Sequence, residues 1–280
     1  MQQLSTNMFV ENGLRGCNHG WVTTSEGIVL IDTPNKPSDA VKLRAYFESL
    51  GQPVRYILNT EPHGDHWTGN AFFDAPVVAH AGVRTRILAT NVATHIAWAG
   101  AMGPDEPKFL EGYKPNAPVI TFDTEMKLHV GNHTFRLIHM PGHTPYQAAV
   151  VVEEEGVVFT SDNVFCKVQT WLQEAKPDDW YQALDSMRAL PQQQLIPGHG
   201  PLCDHRYLDE QEAFIREWVE YVRNAVGRGM TREEAVNTLT AFTDRYPMDA
   251  GQEGMSPRVQ KLNAGNLYDY VTGAGLHKAQ

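Results

Sequence analysis

The sequence predicts an α/β fold in which helices cover β-sheets, followed by a helical C-terminal extension. Two observations carry the main part. Short apolar runs recur from Gly20 to Ile196, and stretches with helical spacing lie between them. Alternation of that kind places helices on the faces of sheets. A third observation, sustained helical periodicity after His205, supplies the extension.

In chain order, residues 20–24, 28–32, 54–59 and 76–79 read as strands, with a helix over 38–50 between the second and third. The second half repeats the theme with strands at 134–139, 148–152, 157–161 and 194–196. A helix over about 178–190 precedes the last of these. Pro177 and Asp178 supply its start, and Trp180, Leu184 and Met187 recur at i, i+4 and i+7. From about His80 to Pro118 the strand rhythm stops. The apolar, turn-rich stretch Ala97-Trp98-Ala99-Gly100-Ala101-Met102-Gly103-Pro104 reads as an insertion that lines or covers a pocket; a helical connection packed on the core is the other reading.

The tail is helical. Ile215, Trp218, Val219, Val222 and Val226 mark one face, and Gly227 is the expected stop. Thr231-Arg232-Glu233-Glu234 forms a capping box, and Ser256-Pro257 opens a last helix with proline at its first position. The chain therefore divides into a fold domain over 1–204, with the insertion at about 80–118, and an extension over 205–280. The extension packs on that domain or offers a homodimer surface, and it carries no motif.

Composition narrows the function. The 280 residues suffice for a sizeable core, and a hydrophobic share of 42% against 20% charged is that of an ordinary globular chain. No run of about 18 apolar residues offers a membrane span. A net charge of -10 opposes binding to nucleic acid, which needs a basic face. Cys17, Cys166 and Cys203 are far apart and odd in number, so they give neither a disulfide framework nor a Cys-x-x-Cys clip. With no leader pattern in residues 1–7, a reducing cytoplasm is the expected compartment.

Four segments carry the chemistry. The first is Asn59-Thr60-Glu61-Pro62-His63-Gly64-Asp65-His66-Trp67-Thr68-Gly69-Asn70. The others are Pro141-Gly142-His143-Thr144, Thr160-Ser161-Asp162-Asn163 and Pro197-Gly198-His199-Gly200. Each follows a short β run, which is how a sheet delivers ligands to one edge from several strands. Imidazole and carboxylate are the usual ligands of zinc and other first-row divalent ions. Glycines there permit close backbone approach. Of the twelve histidines, His19, His80, His95, His129, His133, His139, His205 and His277 read as structural or surface residues.

The set resembles the metallo-β-lactamase superfamily, whose signature is His-x-His-x-Asp-His, then Gly-His, then Asp, then Gly-His. The resemblance covers about residues 15–205 and includes Ile28-Val29-Leu30-Ile31-Asp32-Thr33, similar to the family's early strand. It implies a four-layered αβ/βα sandwich with two metal sites at the sheet edges. On that carry-over Glu61, His63 and His143 hold one ion, Asp65, His66 and His199 hold the other, and Asp162 bridges.

Glu61 departs from the pattern, because the family's first ligand is a histidine. Either Glu61 is no ligand and only the second site is filled, or it binds the first ion through oxygen. In the second case the carboxylate cancels the single net positive charge of the usual site. Bound water then loses its proton at a higher pH. Zinc is the first expectation for the metal, and oxygen ligation brings in manganese and iron.

The resemblance implies a hydrolase in which a metal-bound hydroxide attacks an ester, lactone, thioester or amide of a small molecule, a β-lactam included. Asp65 serves as ligand, orienter and proton acceptor. A single-iron oxygenase of the persulfide dioxygenase type and a hydrolytic dehalogenase of activated aromatics are the alternatives, and a binding protein with a dead site is a further one. Trp67, Trp98, Trp171 and Tyr146 read as core or pocket wall rather than as stacking groups. The loops between His80 and Pro118 and near Cys166 to Trp171, with the helical tail, are rich in apolar and aromatic residues, so the expected substrate is apolar or aromatic. Lys167 lies five residues beyond Asp162 and reads either as a solvated lysine or as a cation that meets a substrate carboxylate, with the solvated reading at least equal.

Overall fold

The computed structural model describes residues 1–240 and 242–274; His277 lies outside them. Strands β1 (Gln2–Gln3), β2 (Met8–Glu11), β3 (His19–Thr24), β4 (Gly27–Ile31), β5 (Val54–Leu58), β6 (Val77–His80) and β7 (Ile120–Phe122) form a seven-stranded sheet in chain order. Strands β8 (Glu125–Val130), β9 (His133–His139), β10 (Ala148–Val152), β11 (Val157–Phe165), β12 (Gln194–His199) and β13 (Cys203–Asp204) form a six-stranded sheet, also in chain order. The first sheet is antiparallel up to β4 and parallel from β4 to β7. In the second, only β11 and β12 run parallel.

Parallel neighbours need long crossovers, and helices supply most of them. In chain order these helices are α1 (Pro37–Ser49), α2 (Gly64–Trp67), α3 (Ala81–Leu88), α4 (Val92–Gly100) and α5 (Pro177–Arg188). α1 joins β4 to β5, and α5 joins β11 to β12. Pro37 and Pro177 sit in the first turns of α1 and α5, where a missing N–H costs nothing.

Side-chain alternation then builds the layers. In β4, Val29 and Ile31 face β10's Ala148, Val150 and Val152 across the space between the sheets. Ile28 and Leu30 point the other way, to Ala40 and Phe47 of α1. Ala149 and Val151 point outward from β10, to Trp180, Leu184 and Met187 of α5. Strands covered on both faces must be apolar throughout, which is why these runs stand out in the sequence. The result is helix, sheet, sheet, helix: the expected α/β sandwich.

The tail consists of α6 (Arg206–Gly227), α7 (Arg232–Thr238) and α8 (Ser256–Thr272). Phe214, Ile215, Trp218, Val219 and Val222 of α6 join Ala264 and Leu267 of α8 in the outer cluster of the second sheet. The apolar face of α6 is therefore spent on the chain's own core. The capping box at Thr231 is formed in both directions. Two details differ from expectation. Gly227 is the last helical residue, and the left-handed position is Gly229 at φ +81°. Ser256 is the first residue of α8, so Pro257 is its second.

Residues 81–119 form the crossover from β6 to β7. Ala99, Leu110 and Tyr113 pack against Ala71 and Phe72, as a connection seated on the core would. Trp98 nevertheless stays 41% exposed, and it faces the cleft described below.

His19 is buried in β3, and burial pushes its pKa down to about 4. The unfolded chain takes up that proton near pH 6.5, the folded chain only near 4. Stability should therefore fall as pH drops through this window, by about 3 kcal/mol from this residue. Denaturant titrations of metal-free protein at about pH 7 and about pH 4.5 measure it. The His19→Gln variant should lose less between the two; equal losses would remove His19 as the cause.

Candidate metal centre

The first motif leaves β5 at the sheet edge. Glu61 and His63 lie on the loop, and Asp65 and His66 lie in α2, so one short turn presents four ligand-type side chains. His143 follows β9, and His199 ends β12. Asp162 differs from its expected place. β11 does not stop before it but continues to Phe165 through irregular register, with Ser161 in a left-handed conformation at φ +52°. That kink turns Asp162 to the edge. The sheets are tied together there: the Thr60 carbonyl accepts from Ala148 N (2.8 Å), and the Thr60 and Ser161 hydroxyls are hydrogen-bonded to each other (2.7 Å). Gly198 is required by space, because a Cβ would stand 2.0 Å from Asp162 Oδ1.

Each imidazole spends one nitrogen on an acceptor outside the cluster. His66 Nδ1 meets Asp32 Oδ2 at 2.9 Å, and His199 Nδ1 meets Asp249 Oδ2 at 2.8 Å. His143 Nδ1 meets the Trp171 carbonyl at 2.8 Å. His63 Nε2 lies 3.4 Å from Glu174, which Arg86 clamps with two contacts of 2.9 Å. Asp32 is itself held by Thr60 N at 2.8 Å and Thr60 Oγ1 at 2.6 Å. The other nitrogens face inward, toward Glu61, Asp65 and Asp162. His63 Nδ1 is 3.0 Å from Glu61 Oε2, and His66 Nε2 is 3.2 Å from both Glu61 Oε1 and Asp162 Oδ1. His199 Nε2 is 3.4 Å from Asp65 Oδ2 and from Asp162 Oδ2.

Inward and outward nitrogens of this kind are the pattern that orients metal-binding histidines. Whether the residues fit a metal is decided by what they lack. Glu61 Oε2, His66 Nε2 and Asp162 Oδ1 are fully buried and make no hydrogen bond, although oppositely charged groups stand close by. Buried polar atoms without partners are rare and costly. Here they converge, in groups whose ligand atoms lie within 4.8 Å: Glu61 with His63 and His143, Asp65 with His66 and His199, and Glu61 with His66 and Asp162. All seven residues singled out in the sequence come together. The donor set of imidazoles and carboxylates fits first-row divalent ions.

The electrostatics agree. Burial disfavours charge on every one of these groups. Against it, Glu61 and Glu174 lift His63 well above the usual imidazole range, and Asp162, Asp249 and Asp65 do the same for His199. Burial likewise opposes charge on His66, but Cys17, Glu61, Asp162 and Asp32 raise it. Burial raises Asp65, yet the His199 hydrogen bond and the charges of His66 and His199 hold it at about 2. Burial does win at His143, which is pushed down. Protons therefore occupy the cluster in place of other cations, and metal loading would release them.

Residues 12–199 match the model of the metallo-beta-lactamase superfamily. The chain belongs to this superfamily. At that level of description it is a metal-dependent hydrolase. It is similar to a hydroxyacylglutathione hydrolase of Methylococcus capsulatus, with 25% identity over 80% of this chain and 78% of that one. It is also similar to a linear primary-alkylsulfatase of a Pseudomonas species, with 22% identity over 78% of this chain and 49% of that one. The solved structure of a metallo-beta-lactamase family protein from Thermus thermophilus shares the fold at a TM-score of 0.65. It has 19% identity and covers 98% of this chain and 95% of that one.

In this member of the superfamily a cleft of about 260 Å³ opens over the cluster, with Trp98 and Trp171 on its wall. Trp67 and Tyr146 are elsewhere: Trp67 is buried against His95, and Tyr146 stacks on His80. His80 caps α3 and stacks on His139, which gives both a structural role. Lys167 is exposed, has a left-handed backbone (φ +57°), donates its amide N–H to the Tyr207 hydroxyl, and is not part of the cleft. Sequence reasoning missed Asp32, Glu174 and Asp249 as positioning groups. Asp32 stood in a motif already singled out, but Asp249 lies in the tail thought to be without one. The same tail brings Gln252, Met255 and Arg258 to the cleft.

Proposed function

We propose that this chain hydrolyses an ester, lactone, thioester or amide in a small molecule, using two divalent ions. Glu61, His63 and His143 would hold one ion, Asp65, His66 and His199 the other, with Asp162 between them. The observation that carries this reading is the ring of outward-anchored imidazoles around unpartnered inward atoms. When bound, such ions supply an activated water and a Lewis acid for the oxygen that gains charge. Asp65 is the partly exposed carboxylate at the base of the cleft. It orients the attacking water and accepts its proton at Oδ1, while Oδ2 stays 3.4 Å from His199. Trp98 and Trp171 exclude water on one side and offer aromatic contact to the substrate.

A thioester ranks first among the bonds, because one relative is named for hydroxyacylglutathione hydrolysis. Zinc ranks first among the metals, and the Glu61 carboxylate keeps manganese and iron in play. The three free cysteines fit a reducing cytoplasm. Among the described residues no helix is long and apolar enough to cross a membrane.

The test is chelation, then reloading with zinc, manganese or iron singly, against a panel of esters, lactones, thioesters and amides. Turnover should vanish on chelation and return with one metal. Full activity in metal-free protein would overturn the reading. One observation favours a second reading: Glu61 with His63 and His143 makes two imidazoles and a carboxylate, the donor set of non-haem iron oxygenases. Oxygen uptake with a persulfide substrate, absent from the hydrolytic reaction, separates the two.

A further inference from the structure

The wall of the cleft opposite its chemistry carries two arginines. Arg15 lies on the loop between β2 and β3, and Arg258 lies in the first turn of α8. Among the described residues neither guanidinium is ion-paired, whereas Arg86, Arg136, Arg188 and Arg232 all grip carboxylates. Arg55, Arg84 and Arg228 likewise lack a carboxylate partner, but they lie outside the cleft; Arg15 and Arg258 are the unpaired guanidiniums that line it. Glu253 feels the charge of Arg15 but directs its carboxylate to the Gly251 amide, 2.9 Å away. The Arg15 stem is held in place, since its Cβ, Cγ and Cδ lie 3.0–3.1 Å from where a Gly251 Cβ would stand.

A second observation is independent of charge. Asn35 Oδ1, Gln173 Oε1 and Gln252 Oε1, all on the cleft wall, are buried without a hydrogen-bond partner. Amide oxygen and nitrogen interchange by a simple flip, so these groups can turn either a donor or an acceptor to a ligand. The wall is thus a set of polar groups without partners around two free guanidiniums. The remaining acids of the cleft, Asp65 and Asp162, belong to the metal cluster and would be neutralised by bound cations. The arginines then set the sign of the cleft.

We propose that Arg15 and Arg258 form a docking site for a carboxylate that takes no part in the reaction, so that the substrate is a small acyl compound with a second, free carboxylate. This rests on the hydrolytic reading for the word acyl, but not for the anion site. Guanidinium recognises carboxylate through paired, charge-assisted hydrogen bonds. The small size of the cleft keeps that group close to the scissile bond.

Calorimetric titration of metal-loaded protein with benzoate and with its uncharged analogue benzyl alcohol tests it, because neither probe has an acyl bond to hydrolyse. Arg15→Gln and Arg258→Gln should each weaken benzoate by about tenfold and the double variant by about a hundredfold, with benzyl alcohol unchanged. Arg258→Lys should recover part of the loss. In turnover, the same variants should raise KM for a thioester with a terminal carboxylate and leave the analogue with a terminal methyl group unaffected. Benzoate binding that survives in the double variant would overturn the proposal, since the anion then sits on the metals. Loss of benzoate binding in a protein that hydrolyses nothing on the panel would keep the anion site and sink the hydrolase reading instead.

Discussion

Replacing Glu61 with alanine is expected to reduce bound metal from two ions per chain to one, and to abolish most turnover with it. The physical case is one of charge. Glu61 is fully buried, its Oε2 has no hydrogen bond, and no lysine or arginine reaches it among the described residues. Its Oε1 accepts from His63 N at 2.9 Å, so Oε2 is the atom left to a cation, and the nearby imidazoles lie to either side: His63 Nδ1 at 3.0 Å and His66 Nε2 at 3.2 Å. Loss of one ion removes either the activated water or the Lewis acid, and comparable electrostatic losses cost about 10²–10³ in rate. Glu61→His restores the ligand type usual in the superfamily. It should keep both ions, favour zinc over manganese, and shift the alkaline rise of the rate to lower pH, because the site regains positive charge. Elemental analysis reads the stoichiometry directly. Two ions bound with unchanged affinity in Glu61→Ala would show that Glu61 is not a ligand.

Asp249→Ala is expected to weaken metal binding by about 10–100-fold while leaving the fold intact. Asp249 fixes the His199 ring at 2.8 Å, and without it the imidazole loses both its orientation and a charge that keeps it basic. Asp32→Asn should act likewise through His66, with an added stability cost because Asp32 is buried and holds Thr60. Competition against a chromogenic chelator measures both variants, with the exposed Asp185→Ala as control. Wild-type affinity in Asp249→Ala would mean that the tail only packs and does not position.

What the sequence revealed, and what it hid, follows from which relations are local. β10 was legible to the residue because burial on both faces made all of Ala148–Val152 apolar. β8 was not: its burial alternates, and its exposed Glu125, Lys127 and His129 make the run polar. β1, β7 and β13 are short and gain their identity only by pairing. The cluster itself was readable because each of its members stands in a short chain motif next to a strand. Asp162 does stand with the other six residues, but from within β11 and not after it, since the irregular register of β11 has no sequence signature. Of the two readings of Lys167, the structure shows the solvated one. Five positions after Asp162 says nothing of direction, and the arginines that do face the cleft come from chain segments far from any motif.

The His199–Asp249 contact spans fifty residues and has a consequence for biosynthesis. A ribosome releases the whole ligand set, Glu61 through His199, well before Asp249 emerges. A nascent chain can therefore gather every donor atom and still lack the brace that fixes one of them. Until the loop before α8 arrives, ions on that side should exchange readily. The segment after His199 then supplies both the Asp249 brace and the Arg258 side chain that lines the cleft.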